Sequence, residues 1–176
     1  LHYNRFLYRS LRFRELFSWF SIDMTKELEI NDFTLNLNDL VINVPLNHAT
    51  EPSEKGSNEK KIEYNITNLS IIKEKFGLRC VDHQLPVGVK RGGQSFFTGR
   101  ASAIDIWGID DNHLHIFELK YSNKKVRIIT ELLFYSEVMY DVLIRKTIST
   151  PGNIKDVRNA MSLYNDNSKI KSINSK

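Results

Sequence analysis

The sequence is nearly devoid of cysteine: Cys80 is the single one among 176 residues. That excludes an internal disulfide and a zinc cluster built on thiolates. Long apolar runs are missing too. None approaches the roughly 18 consecutive apolar residues that a membrane span needs. The first residues also lack the small-residue cleavage pattern of a secretory signal. A reducing, cytoplasmic setting is the expectation. There is no internal repeat, and at 41% apolar and 26% charged residues the composition carries neither a disorder nor a collagen signature. The length accommodates one domain with its own core plus an appendage, and is short for two full domains.

What is present is unevenly distributed. Arg5, Arg9, Arg12 and Arg14 stand against Glu15 near the start, and residues 144–176 carry seven Lys and Arg against Asp156 and Asp166. The two ends together exceed the net charge of +4, so the centre is acidic. Basic flanks around an acidic middle suit a protein that holds a polyanion at its edges and a cation between them; solvated termini are the plain reading.

Residues 3–20 read as a helix rich in aromatics and arginine, with more apolar side chains than one narrow stripe can hold. Such a helix needs a partner surface, in its own fold, in a homodimer or on a partner protein. Residues 33–37 and 40–44 alternate around Asn38 and Asp39, the pattern of a β-hairpin. Residues 46–58, with Pro52 and Gly56, read as an exposed connector. From Glu59 to Phe76 the spacing of Ile62, Ile66, Leu69 and Ile72 predicts one helix, stopped by Gly77. A strand is expected at 78–85, then a flexible loop with Gly88, Gly92, Gly93 and Gly99, glycines that lack the spacing of a nucleotide-binding fingerprint. Strands at 103–109 and 114–121 flank the turn 110–113, and a long helix follows at 125–143. Pro151 and Gly152 make a turn, a short helix comes next, and the polar end from Asn165 is expected to fray. The order helix, strand, strand, strand, helix sets the class as α/β or α+β. The divisions are residues 1–58 as an N-terminal helix, hairpin and linker, 59–150 as the core, and 151–176 as a C-terminal helix with a basic tail.

The 110–113 turn lets pairing be worked out. Centred between Asp111 and Asn112, it pairs residues whose numbers sum to 223, which sets Asp105 opposite Glu118. Side chains opposed on one face of an antiparallel pair stand roughly 5 Å apart at Cβ. Two carboxylates that close repel unless a proton or a cation lies between them. A hard cation such as Mg²⁺ or Mn²⁺ takes one or two carboxylates and keeps room for phosphate oxygens. Alternation adds Lys120 to the same face, where an ammonium can hold an attacking water or offset charge on a phosphate. The carbonyl of Leu119 is available as a further metal ligand. A surface strand ending in Glu-Leu-Lys is the plain alternative. Against it, Ile104, Ile106, Ile109, Leu114, Ile116 and Phe117 make both strands strongly apolar, and buried charges need partners.

The run 102–109 with Asp105, followed by Ile116-Phe117-Glu118-Leu119-Lys120, resembles the PD-(D/E)xK nuclease superfamily. The resemblance spans roughly residues 59–145. It implies a restriction-endonuclease-like core, a mixed central sheet flanked by helices, with the N-terminal helix and hairpin as an appendage. It further implies Mg²⁺-dependent hydrolysis of DNA phosphodiesters, in which Asp105 and Glu118 hold the metal and Lys120 orients water. The RecB-like branch adds Gln-x-x-x-Tyr on the next helix; here Glu131 replaces the glutamine and Tyr135 matches. Endonucleases of this superfamily often carry another acidic ligand on the leading helix, a position that Glu59 or Glu63 would fill, with Glu63 favoured. Ile104 stands where the name-giving proline would be. A catalytically inactive nucleic-acid-binding or protein-interaction module on the same fold is the alternative. Arg100, Lys124, Lys125 and Arg127 are candidate phosphate contacts, against the plain readings of a loop arginine and a solvated helix face. His113 and His115 read as a solvated turn residue and a packed one, not as ligands, and Trp107 as core.

Overall fold

A computed structural model describes residues 2–17, 35–43, 56–68, 71–99, 102–120, 127–150 and 170–175. Its elements, in order, are α1 (His2–Leu16), β1 (Val41–Asn43), α2 (Asn58–Asn68), α3 (Ile71–Phe76), β2 (Cys80–Pro86), β3 (Gly88–Arg91), β4 (Gln94–Ser95), β5 (Ala103–Ile109), β6 (His113–Phe117), α4 (Arg127–Leu143) and β7 (Ser172–Ser175). The class is α+β, with two sheets and four helices among the described residues.

The larger sheet runs β2-β5-β6-β7 and is mixed: β2, β5 and β6 are antiparallel, while β7 joins β6 in parallel. Its centre is the β5–β6 hairpin, formed because two apolar runs meet across a turn that Asp110 closes. The Asp110 carboxylate accepts the amides of Asn112 and His113 at 2.9 and 2.8 Å, the side-chain mimic of a backbone turn. Trp107 pairs with Ile116 and Ile106 with Phe117. Successive residues of a strand point to opposite faces, so the two pairs feed two cores. Trp107, Leu114 and Ile116 join the main core with Phe134, Val138 and Met139 of α4. Ile106, Phe117 and Leu78 instead meet Ile66, Ile72 and Phe76 of α2 and α3. Gly108 lies on that second face, where an added Cβ would come within 2.6 Å of the Leu78 side chain and 2.8 Å of the Cys80 carbonyl.

Ser57 caps α2, its Oγ accepting the Lys60 amide at 3.3 Å. Gly77 ends α3 with a φ of +62°, and the Leu78 amide reaches back to the Lys73 carbonyl at 2.9 Å. The helix expected over 59–76 is thus two helices. The glycine loop is also more ordered than expected: Gly92 and Gly93, both at positive φ, form the two-residue turn between β3 and β4, the turn whose twist suits a hairpin. The turn at Asn38 and Asp39 is present, yet β1 pairs with β3, with Ile42 opposite Val89, in the second sheet, β1-β3-β4. Residues 33, 34 and 44 of the expected hairpin lie outside the described residues. So do most of the 46–58 connector, the turn at Pro151 and the short helix after it. Strand β6 ends at Phe117, short of the expected Tyr121, and 172–175 of the polar end form β7.

One face of α1 packs within its own chain, while Tyr3, Leu16 and Phe17 stay exposed. Tyr8 stacks on Phe97 at 4.3 Å and meets the edge of Phe134 at 5.7 Å. Its hydroxyl donates to Asp141 of α4 at 2.5 Å, and Arg12 grips the same carboxylate through Nε at 2.9 Å and a terminal nitrogen at 2.6 Å. Arg145, the third residue to donate, adds a fourth bond at 3.2 Å. Arg5 and Arg9 lie over the Phe134 ring at 5.6 and 4.9 Å. No described helix is long and apolar enough to cross a membrane.

Candidate active site

The hairpin register matches the expected sum of 223 throughout. Carried one residue past the end of β6, it sets Asp105 against Glu118. The chain leaves the ladder there, and the Leu119 amide donates to Asp105 Oδ2 at 2.8 Å. That bond ties Asp105 to the Glu-Leu-Lys segment. It also shows Leu119 meeting Asp105 through its N–H, while its side chain packs in the second core.

Around this pair the fold gathers the other expected residues. Lys120 Nζ donates to Glu118 Oε1 at 2.5 Å and lies 3.5 Å from Glu131 Oε2. Tyr135, one turn beyond Glu131 on α4, is close enough for Glu118, Glu131 and Asp105 all to raise its pKa. Glu63 comes from α2, buried to 5% exposure, and its carboxylate feels that of Asp105. Glu63 is thus buried beside the pair, and the charge of Glu59 also reaches Asp105.

The electrostatics are those of crowded anions. Burial, then the charges of Asp105 and Glu131, push Glu118 up to about 7 despite its bond with Lys120. Burial and Asp105 likewise push Glu63 to about 7, against the opposing hydrogen bond from Gln84. Asp105 is raised by burial, with Glu59 and Glu131 adding to it. Burial would lower Lys120, but Glu118, Asp105 and Glu131 outweigh it and hold the ammonium well above its ordinary range. Tyr135 rises to about 12, mainly through burial. One atom makes the excess of negative charge concrete: Glu118 Oε2 is buried and has no hydrogen bond among the described residues. A buried carboxylate oxygen left so is costly, and either a proton or a cation relieves it.

Gln84 is a member of the site whose role the sequence did not reveal. Its Nε2 donates to Glu63 Oε1 at 2.8 Å, from a backbone at φ +53° that turns it out of the regular β2 pattern. Gln84 was visible in the sequence only as part of a strand end. Of the expected phosphate contacts, Arg100, Lys124 and Lys125 lie outside the described residues, and Arg127 begins α4. His113 and His115 sit at the far end of the hairpin, and Trp107 is fully buried.

Compared with known proteins, the chain matches no family model, and no curated protein or solved structure matches it significantly.

Proposed function

We propose that the chain is a metal-dependent nuclease that hydrolyses DNA phosphodiester bonds, an endonuclease on a restriction-endonuclease-like core. The observation that carries this reading is the largely buried cluster of Asp105, Glu118 and Glu63 with Lys120 at its edge, drawn from β5, the segment that follows β6, and the leading helix. The order of elements supports it, since helix, antiparallel strands and following helix all deliver a residue to one place.

The donor set fits a hard dication. Asp105, Glu118 and Glu63 offer carboxylate oxygens, which suit Mg²⁺ or Mn²⁺, with the Leu119 carbonyl as a further oxygen. The unbonded Glu118 Oε2 and the raised carboxylates are what a site awaiting positive charge should display. When bound, the ion supplies Lewis-acid polarisation of a phosphate oxygen and a more acidic water. The chain's own residues do the rest. Lys120 stays protonated, so it cannot serve as a base; it donates to water or to a phosphate oxygen and offsets charge there. Tyr135 stays a neutral phenol and acts as a donor. Glu131, a third exposed and within reach of Lys120, adjusts that ammonium from the mouth of the site. The basic ends, with Arg100, Lys124, Lys125 and Arg127, would meet the DNA backbone.

The test is incubation of single-stranded, duplex and branched DNA with Mg²⁺ or Mn²⁺. Cleavage should fall by about a hundredfold or more in Glu118→Ala and in Lys120→Ala, the scale of losing one preorganised charge at a reacting centre. Undiminished cleavage in both variants would place the activity elsewhere. Absence of cleavage with metal-independent DNA binding would identify a non-cleaving module on this fold.

A further inference from the structure

The far end of the β5–β6 hairpin holds a second constellation. Asp110, His113 and His115 each present one ligand atom, and these atoms lie within 4.8 Å of one another. From Asp105 to Asp110 the strand advances five residues, roughly 17 Å at ~3.3 Å per residue, so this cluster is separate from the carboxylate site. We infer that it is a transition-metal site, selective for Zn²⁺ over Mg²⁺, built from Asp110 Oδ2, His113 Nδ1 and His115 Nε2.

The geometry is close to what such an ion requires. Asp110 Oδ2 lies 3.0 Å from His113 Nδ1 and 2.8 Å from His115 Nε2. Corners of a tetrahedron around zinc, with bonds of ~2.05 Å, are about 3.3 Å apart. An ion therefore enters by replacing the three contacts between the carboxylate and the imidazoles, with a shift of the exposed His113 ring that draws ligand atoms now within 4.8 Å of one another to that spacing. The carboxylate keeps its orientation, because Oδ1 is held by the Asn112 and His113 amides while Oδ2 forms the corner; His113 Nδ1 gives up its 2.8 Å contact with Oδ1 to face the ion. Strand alternation supplies the histidines: at i and i+2 they share a face. Their surroundings complete the site. His115 is buried, and the His113 side chain is 41% exposed, which gives an ion a way in. A neutral imidazole pair with one carboxylate is a donor set for zinc-like ions, whereas Mg²⁺ prefers oxygen alone. Water would take the fourth position.

The same geometry limits the affinity. His115 Nδ1 is buried without a hydrogen bond among the described residues, and loss of an outer partner for a ligating imidazole costs roughly 10–100-fold. Arg79, bonded to the Asp110 carbonyl at 2.9 Å, adds positive charge nearby. The site is therefore a micromolar one, not a tight structural zinc site. Because β7 lies beside β6 with Ser172 opposite His113 and Asn174 opposite His115, occupancy would also stiffen the turn and this edge strand.

The experiment is calorimetric titration of Zn²⁺ into protein saturated with Mg²⁺, so that the carboxylate site is competed. One equivalent should bind with micromolar affinity. Binding should weaken tenfold or more in Asp110→Asn, which keeps the turn's acceptor, and in His113→Ala, which alters a largely exposed side chain, while Glu118→Gln leaves it unchanged. Co²⁺ in place of Zn²⁺ should give the visible bands of a tetrahedral centre, lost in His113→Ala. The inference fails if no Zn²⁺ binds under Mg²⁺, if His113→Ala and Asp110→Asn bind as the wild type does, or if Glu118→Gln abolishes binding. It stands or falls independently of the nuclease reading.

Discussion

Removing the charge of Glu118 should stabilise the metal-free protein at alkaline pH. Glu118 is held at about 7 against an ordinary 4.5, and its side chain is 5% exposed. At about 1.36 kcal/mol per pH unit, that gap corresponds to roughly 3 kcal/mol. The sign follows from which state holds the proton. Between the two values the folded protein keeps a proton that the unfolded chain has released, so folded stability is greatest below about 4.5 and declines as pH rises through 7. Above that, the whole penalty is in force. Glu118→Gln keeps the shape and one acceptor for Lys120 but has no charge to bury. In EDTA at about pH 8 the variant should therefore be more stable than wild type by about 1–3 kcal/mol, with the advantage shrinking towards pH 5. The assay is urea unfolding by circular dichroism across pH, with and without Mn²⁺. Added Mn²⁺ should stabilise the wild type and reverse the ranking, because an ion that binds only the folded state stabilises it by mass action. Equal or lower stability of Glu118→Gln at pH 8 in EDTA would refute the reasoning.

Asp141→Ala leaves Arg12 with only the half-exposed Glu15 as its carboxylate partner among the described residues and removes the acceptor of Tyr8; breaking a buried pair costs up to about 3–5 kcal/mol, readable as a lowered urea midpoint. Gly108→Ala should cost about 1–3 kcal/mol by overpacking, since the new methyl meets Leu78 and the backbone of Cys80; an unchanged melting temperature would mean that β5 and Leu78 are not packed as described. Gln84→Ala removes the donor that opposes the upward shift of Glu63, so Mn²⁺ binding should weaken several-fold at neutral pH and recover near about pH 8.5. A loss that is the same at both pH values would separate Gln84 from Glu63.

The parts legible in the sequence were those set by local pattern and by one turn. Strand β5 has the expected bounds, and the hairpin register followed from Asp110 and its neighbours, because a tight turn between two apolar strands leaves few alternatives. That register alone placed Asp105 beside the Glu-Leu-Lys segment. Illegible were the features decided by distant chain. Asn38 and Asp39 announced a turn, but the partner of β1 is β3, where Arg91 bonds the carbonyls of Asn36 and Asn38. Ser172-Ile173-Asn174-Ser175 has no strand signal of its own; its place on the sheet comes from the neighbouring β6. Periodicity from 59 to 76 did not register a break, because Ile66, Ile72 and Phe76 reach the same core from two helices. Asp110 read as a turn residue, and only three-dimensional placement shows both imidazoles converging on it.

Helix α4 joins the arginine-rich start of the chain to the carboxylate cluster. Its residues Phe134, Val138 and Asp141 face the core and α1, while Glu131 and Tyr135 turn towards Lys120 and Glu118. Arg5 shows the connection most directly. It lies over Phe134, donates to the Phe97 carbonyl at 2.8 Å, and lowers the pKa of Tyr135 against three carboxylates that raise it. The docking of α1 therefore does more than bury Tyr8. It fixes the helix that carries two members of the site, and it brings a guanidinium to the side of a cluster that is otherwise short of positive charge. Basic and aromatic residues interleaved along α1 thus divide the work: Tyr8 anchors the helix on Phe97 and Phe134, Arg12 binds Asp141, and Arg5 lends positive charge to the carboxylate cluster.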